Sequence, residues 1–452
     1  MTEVSPKDAG PSPFQPALGR QASVTWGASL VAGYLVLACL PVALALAARP
    51  TSAEPLWTEL GLGAALLGFS LLALQPILAG RFHWLDRPFG LDTVMRFHKA
   101  MAILAAVLLL AHPVLLSLGA GHWQLLAFDT PWQVWLGKAA LIVLVLGIGY
   151  ALLVHVRRLE YQTWRRAHKG MVVVVVLGFL HSILLGHDVE APRLLTYWSG
   201  LVAVAALVVV WRNVVLPSRG RARFRVADVR PESHDTYTLR LDPIDPAALP
   251  PRNPGQFMFL ALRRPGRPSE EHPFTISASP TESGHLTVTI KESGDFTNTI
   301  ARTRPGDEAR IEHPFGRFSY VHHGAEAFVF IGGGVGITPL RSMLRCLADT
   351  GDDRPATLIY GNRTERDILF RDELADLPGH VRVVHVLSQP DETWDGERGH
   401  VTQDLLSRHA GDLLPRADVY LCGPPPMMAA VKQALRQLNV HASRVHDERF
   451  SL

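Results

Sequence analysis

The 452-residue sequence has only three cysteines, Cys39, Cys346 and Cys422, too few and too scattered for a disulfide framework or a thiolate metal site. Cys39 and Cys346 read as buried free thiols, the usual place for Cys. The formal net charge is only +3, which argues against nucleic acid as a partner. No basic-then-apolar order opens the chain. The Pro-, Ser-, Gly- and Ala-rich stretch to about Ser23 therefore reads as a disordered tail and not a signal peptide. Charge is also scarce up to about Leu216, where one long apolar run follows another. Beyond that point charged residues, Pro and Gly return at the frequencies of soluble domains. The length implies two or three domains.

Six apolar stretches reach the about 20 residues that a helix needs to cross a bilayer: residues 26–47, 57–80, 96–118, 132–154, 168–186 and 195–216. Trp57, Trp84, Trp123, Trp132, Trp164, Trp198 and Trp211 fall near their ends, where amphipathic rings favour the interface. Basic residues crowd one set of connections: Arg81, Arg87, Arg96 and Lys99, then Arg157, Arg158, Arg165, Arg166 and Lys169, then Arg219, Arg221, Arg223 and Arg225. The other side has little besides Arg49, Lys138 and Arg193. The positive-inside bias then predicts an inner cell membrane protein with both termini cytoplasmic.

Ionisable groups inside spans are costly and are functional by default. The third span holds His98 and His112, and the fifth holds His168 and His181. Both spans run in the same direction, so His98 and His168 share one depth and His112 and His181 another. Fourteen residues of helix rise about 21 Å and thirteen about 19.5 Å. Two cross-helix pairs of neutral imidazoles suit two haems stacked across the membrane. Hydrogen bonding between helices would account for one such His, but four paired in depth outweigh that alternative. The nearer-end histidines His83, His122, His155 and His187 do not form such pairs. One feature resists the simple picture. Fourteen steps of about 100° return His112 to within about 40° of His98, whereas thirteen leave His181 about 140° from His168. The fifth span needs tilt, an overwound segment or a non-helical start near His168.

From about Arg221 alternating residues, Tyr237, Leu239 and Leu241, Phe257 and Phe259, and Leu286, Val288 and Ile290, are separated by turn clusters. This predicts an antiparallel barrel or sandwich. From about Gly324 strands at residues 327–331, 356–360, 381–387 and 418–422 alternate with helices, one running through Cys346 and others at 370–377, 402–409 and 427–438. Gly332-Gly333-Gly334-Val335-Gly336-Ile337-Thr338-Pro339 directly follows the first strand. Alternation with a Gly-rich first turn predicts a doubly wound parallel sheet whose turn approaches a pyrophosphate. The expected domains are a tail at 1–23, a transmembrane haem domain at 24–217, a barrel domain at 218–323 and a doubly wound dinucleotide domain at 324–452, the last two being the FAD and NAD(P) domains that the resemblance below implies.

The histidine spacings on the third and fifth of six spans resemble the ferric reductase and NADPH oxidase superfamily, in which such residues ligate two b-type haems. His272-Pro273-Phe274-Thr275-Ile276-Ser277 resembles the flavin-holding strand of ferredoxin-reductase-type proteins. Ile290-Lys291-Glu292-Ser293-Gly294-Asp295-Phe296-Thr297 resembles the stretch that binds the FAD pyrophosphate, with Lys291 in place of the usual Arg. A helix at 298–302 would point amides at phosphate, with Asp295 as its cap. The resemblance implies that Gly332, Gly334, Gly336, Thr338 and Pro339 bind NADPH or NADH, together with Cys422, Gly423 and Pro424, Cys422 lying beside the hydride-transfer position. Arg363 ends the second strand, where a 2′-phosphate would lie. Phe450, two residues from the end, would stack on the flavin. The implied activity carries electrons from cytoplasmic NAD(P)H through FAD and two haem b groups to an extracytoplasmic acceptor. Dioxygen giving superoxide leads, and a ferric chelate or a periplasmic partner protein are the alternatives. His122, His187 and Asp188 are loop residues that could shape access.

Overall fold

The computed structural model describes residues 14, 20–48, 55–121, 123–157, 161–186, 191–219, 221–266 and 269–450. His122, His187 and Asp188 lie outside this set. Two compact units result, Gln21–Ser218 and a second from Arg219 onward.

In the first unit the apolar runs form α1 (Arg20–Ala48), α2 (Leu56–Ala73), α3 (Gln75–Leu78), α4 (His83–Phe89), α5 (Leu91–Ala120), α6 (Trp132–Arg157), α7 (Tyr161–Lys169), α8 (Val172–Leu185) and α9 (Pro192–Val210). A π-helical turn at Trp211–Val215 joins α9 to α10 (Leu216–Arg219). These elements supply six helices long and apolar enough to cross a membrane. Most of their large apolar side chains face outward, as they must when hydrocarbon is the solvent. Cys39 is also exposed and not buried as expected, because a thiol meets no penalty against lipid. The second span is the interior one. Its glycines let α5 approach: a Cβ on Gly61 would stand 3.1 Å from the Leu116 backbone nitrogen, and one on Gly68 3.0 Å from Leu109. Small residues at such contacts replace the hydrophobic drive that lipid removes.

The fifth span is interrupted. Between α7 and α8 the amides of Gly170, Met171, Val173 and Val174 bond to the carbonyls of Ala167, His168, Gly170 and Met171 at 2.9–3.0 Å. These three-residue spacings mark overwound backbone. Each residue at 3₁₀ pitch turns about 20° further than in an α-helix. Over the few residues between His168 and Val174 that excess closes part of the deficit of about 140° for thirteen α-helical steps.

In the second unit β1 (Ala222–Ser233), β2 (Thr236–Pro243), β3 (Phe257–Arg263), β4 (Glu271–Thr275), β5 (Leu286–Lys291) and β6 (Glu308–Phe315) form an antiparallel sheet ordered β4-β3-β6-β1-β2-β5. An antiparallel bridge between Ile276 and Val288 links its two ends into a barrel. Phe224, Val226, Leu239, Leu241, Leu260 and Val288 fill it. Then come β7 (Ala327–Gly333), α11 (Ile337–Thr350), β8 (Ala356–Asn362), α12 (Arg371–Ala375), β9 (Val381–Leu387), β10 (Glu397–Arg398), α13 (Gln403–Ala410), β11 (Ala417–Cys422), α14 (Pro425–Gln437) and β12 (Val445–Glu448). Their sheet is parallel throughout, ordered β10-β9-β8-β7-β11-β12, as the alternating pattern predicts. The helix expected at 370–377 shrinks to the short α12, and the edge strands β10 and β12 are additions.

Arg341 on α11 ties the barrel to the parallel sheet. It donates to the Ser277 carbonyl at 2.6 Å, pairs with Glu282 at 3.4 Å and Glu373 at 2.9 Å, and lies over the Phe370 ring. Gly255 sits at the same junction with φ +90°, and a Cβ there would stand 2.2 Å from the Phe318 carbonyl oxygen and 2.4 Å from Met343 Cε. Gly255→Ala therefore combines backbone strain with a clash and should cost about 1–3 kcal/mol. A fall of several degrees in the flavin-release melting temperature checks it, and an unchanged melt contradicts the packing described.

Candidate functional site

The intramembrane histidines come together as two sets. His98 on α5 and His168 at the end of α7 have ring centroids 6.2 Å apart at 73°. Two imidazoles sharing one metal through bonds of about 2.0 Å place their centroids about 6 Å apart, so this pair has room for an iron between the rings. His98 Nδ1 faces the Gln75 backbone without meeting full hydrogen-bond geometry. Trp164 stacks on His168 at 5.3 Å.

His112 and His181 are electrostatic neighbours. His112 Nδ1 donates to the Gly61 carbonyl and His181 Nδ1 to the Gln133 carbonyl, each at 3.0 Å. A donating Nδ1–H fixes the tautomer and leaves Nε2 as the lone pair available to a metal. Gly137 on α6 makes space for the second ring, since a Cβ there would lie 2.8 Å from His181 Cε1. Gly61, Gln133 and Gly137 were not foreseen from the sequence. The seven-residue spacing of Gly61 and Gly68 on an apolar helix was the available signal.

In the barrel, β4 presents Pro273 to solvent with His272 and Phe274 half-buried, while Thr275 and Ser277 are buried. His272 stacks on Phe296 at 4.1 Å and Phe274 lies 6.2 Å from the same ring. His272 and Phe274 are the partly exposed rings of this group, suited to a planar flavin or adenine, and the buried Phe296 backs them. Gly294 leaves open space beside it. Ile290 is buried in the barrel core and cannot touch a ligand with its side chain. Lys291 pairs with Asp235 at 3.1 Å. Burial pushes the Asp235 carboxyl up, but hydrogen bonds from Lys291 and Thr236 outweigh it and hold it below the ordinary range. The helix expected at 298–302 is a six-residue 3₁₀ turn, Thr297–Arg302, whose N-cap is Phe296. Asp295 does not cap it. Thr297 Oγ1 instead accepts from the Ser293 amide at 2.9 Å, because a hydroxyl four residues on reaches that amide across the turn.

The glycines of the first nucleotide turn have different roles. Gly334 has φ +52° and nothing within 4 Å of a Cβ, so a ligand can approach it. Its carbonyl accepts from the buried Tyr360 hydroxyl at 3.0 Å. Gly336 instead touches the neighbouring turn, where a Cβ would meet the Cys422 carbonyl oxygen at 2.4 Å, and Gly332 packs under Leu340. Thr338 is buried and donates to the Val335 carbonyl at 3.0 Å, and Pro339 is buried beside it. Cys422 is fully buried on β11, paired across the ladders with Gly332 and Glu448. Burial, helped by Glu448 and Asp447, pushes its thiol well above the ordinary range. Gly423 and Pro424 follow it toward the surface. Arg363 is exposed and 3.4 Å from Asp367. Phe450, just beyond β12, is 49% exposed.

Six apolar spans followed by an antiparallel barrel and a parallel nucleotide sheet define a membrane-spanning oxidoreductase of the flavin and nicotinamide class. The family described as ferric reductase like transmembrane component matches residues 64–179, a FAD-binding domain residues 223–310 and an oxidoreductase NAD-binding domain residues 330–433. Together these matches describe a ferric-reductase-like transmembrane component fused to a ferredoxin-reductase-type FAD/NAD module, the arrangement of ferric-reductase- and NADPH-oxidase-like fusions. It is 36% identical over 207 residues to the stachydrine N-demethylase reductase subunit of Rhizobium meliloti, covering 44% of this chain and 58% of that one. It is 33% identical over 241 residues to the propane 2-monooxygenase reductase component of Rhodococcus jostii, covering 51% and 63%. It thus spans less than two thirds of either relative. The cytochrome b5 reductase domain of Ulva prolifera nitrate reductase aligns with TM-score 0.46 and 22% identity, over 50% of this chain and 97% of that one.

A buried, protonated Cys422 should resist alkylation. In a Cys39→Ser, Cys346→Ser background, iodoacetamide should leave the native protein unmodified up to about pH 9, where an ordinary thiol is largely ionised. The unfolded chain should react. Labelling of native protein that rises between pH 7 and 9 contradicts this.

Proposed function

We propose that this protein moves electrons from cytoplasmic NAD(P)H, by way of FAD and two b-type haems, to an acceptor on the outer side of the cell membrane. The observation that carries the reading is the 6.2 Å His98–His168 pair, with the two Nδ1-tethered imidazoles of His112 and His181 as a second set. When bound, the nicotinamide supplies a hydride, the flavin divides it into single electrons and the haem irons carry these onward.

The chain's own residues hold and orient. His98 and His168 would ligate the inner iron, and His112 and His181 the outer one, with the Gly61 and Gln133 carbonyls keeping Nε2 of the outer pair unprotonated. His272 and Phe274, backed by the buried Phe296, offer the flat surface for FAD, near Lys291, Gly294 and Thr297. Gly334 gives the dinucleotide backbone access, and Phe450 stands past β12 as the residue to cover the flavin. Arg363 is the candidate for a 2′-phosphate, so the reading includes NADPH as well as NADH. The basic residues beside the second–third and fourth–fifth connections support cytoplasmic termini.

With both imidazoles of a pair engaged, a bound haem would offer its acceptor no ligand position, and the chain builds no separate acceptor pocket among its described histidines. Dioxygen needs neither, and superoxide is the proposed product. Purified protein with NADPH should reduce a dye in a dismutase-sensitive way. Ferrozine colour unaffected by dismutase would instead identify a ferric chelate as acceptor, and neither signal would point to a partner protein.

His112→Ala and His181→Ala should each lower haem content from about two to about one per chain, measured as the pyridine haemochrome. Gly137→Leu should do the same by crowding His181. Retention of both haems in His112→Ala would overturn the assignment.

A further inference from the structure

Away from the nucleotide turn, three side chains from three separate elements converge on the second unit's parallel sheet. His323 follows the short 3₁₀ turn Tyr320–His322 in the linker between barrel and sheet, Asp418 lies near the start of β11, and His446 lies on the edge strand β12. Their ligand atoms all lie within 4.8 Å of one another, with Asp418 buried and both histidines half-buried. The imidazoles stack at 3.9 Å and 21°. His446 Nε2 makes no hydrogen bond and stands 3.5 Å from Asp418 Oδ2. The Tyr420 hydroxyl, on the same strand two residues after Asp418, is also buried without a hydrogen bond. Its ring lies 4.9 Å from His446. Nearby Arg354 is paired with Asp352 at 2.5 Å, which leaves the Asp418 carboxylate to this cluster.

A buried polar atom without a hydrogen bond is open to a water, an ion or a ligand. We propose that His323, Asp418 and His446 form a binding site for a divalent first-row transition cation such as Zn²⁺, distinct from the haem and nucleotide sites. Two imidazoles and one carboxylate are a donor set such ions favour, with the fourth position left to water. The cation neutralises Asp418 and satisfies His446 Nε2. A bound ion would add a tie from the linker, through His323, to the β11–β12 ladder, whose His446 lies four residues before Phe450.

The test uses full-length protein in detergent, stripped with EDTA and dialysed against Zn²⁺, with zinc counted by plasma mass spectrometry. Wild type should hold about one more Zn²⁺ per chain than the His323→Ala, His446→Ala double variant. Asp418→Asn, which keeps the shape and removes the charge, should weaken binding by about tenfold or more. Zn²⁺ should raise the melting temperature of wild type and not of the variants, since an ion bound only to the folded state stabilises it. Unchanged flavin and haem absorbance shows that the variants are folded. If the double variant does not fold, the comparison with Asp418→Asn decides. Equal zinc in wild type and Asp418→Asn, or a wild-type melt that Zn²⁺ does not shift, overturns the proposal and leaves an ordinary His–Asp contact.

Discussion

Two rings on one helix can face a common partner only if the turns between them close, and the transmembrane unit is arranged around that constraint. His98 and His112 meet it by counting alone, because fourteen residues nearly complete four turns. His168 and His181 do not, and the chain between them is overwound around Gly170 and Met171. Gly170 and Met171 take up the change, with Met171 sulfur seated where Gly147 of α6 has no side chain. The interruption also separates the polar, Arg-rich α7 from the apolar α8. The interruption thus falls just after His168 and just before the apolar α8.

The same unit replaces hydrophobic drive by close approach. In lipid, helices gain little from hiding leucines, so contact distance and hydrogen bonds must hold them. Gly61 serves both ends at once: its missing side chain admits α5, and its carbonyl receives the His112 proton. Gly137 and the Gln133 carbonyl repeat that pattern for His181 from α6. Tethering an imidazole to backbone on a neighbouring helix makes ring orientation a property of helix packing.

In the soluble unit the crowded element is the meeting of two turns, one after β7 and one after β11. Gly333, Gly336 and Gly423 let these backbones touch, where any Cβ would fall within about 3 Å of a neighbour. Of Gly332, Gly333, Gly334 and Gly336, Gly334 alone keeps clear space above it. A run of glycines therefore divides into those that close the fold and one that faces a ligand, and Arg341 and Gly255 fasten this region to the flavin barrel.

Six spans, the change of pattern near Leu216, the alternating barrel strands and the parallel nucleotide sheet were all legible in the amino-acid order, because each follows from local periodicity. So were the depths of the four histidines, since helical rise is a matter of counting. The overwinding near Gly170 was legible only as a mismatch, and its form depended on neighbours. The Gly61 and Gln133 carbonyls, the burial of Ile290, Thr338 and Cys422, the capping of the 3₁₀ turn after Phe296 and the meeting of His323, Asp418 and His446 were not legible. Each depends on which distant segment lies alongside. Residue type and spacing determined what chemistry this chain carries and on which elements. The tertiary structure decided which atoms face one another, because that rests on contacts between helices and strands far apart in sequence.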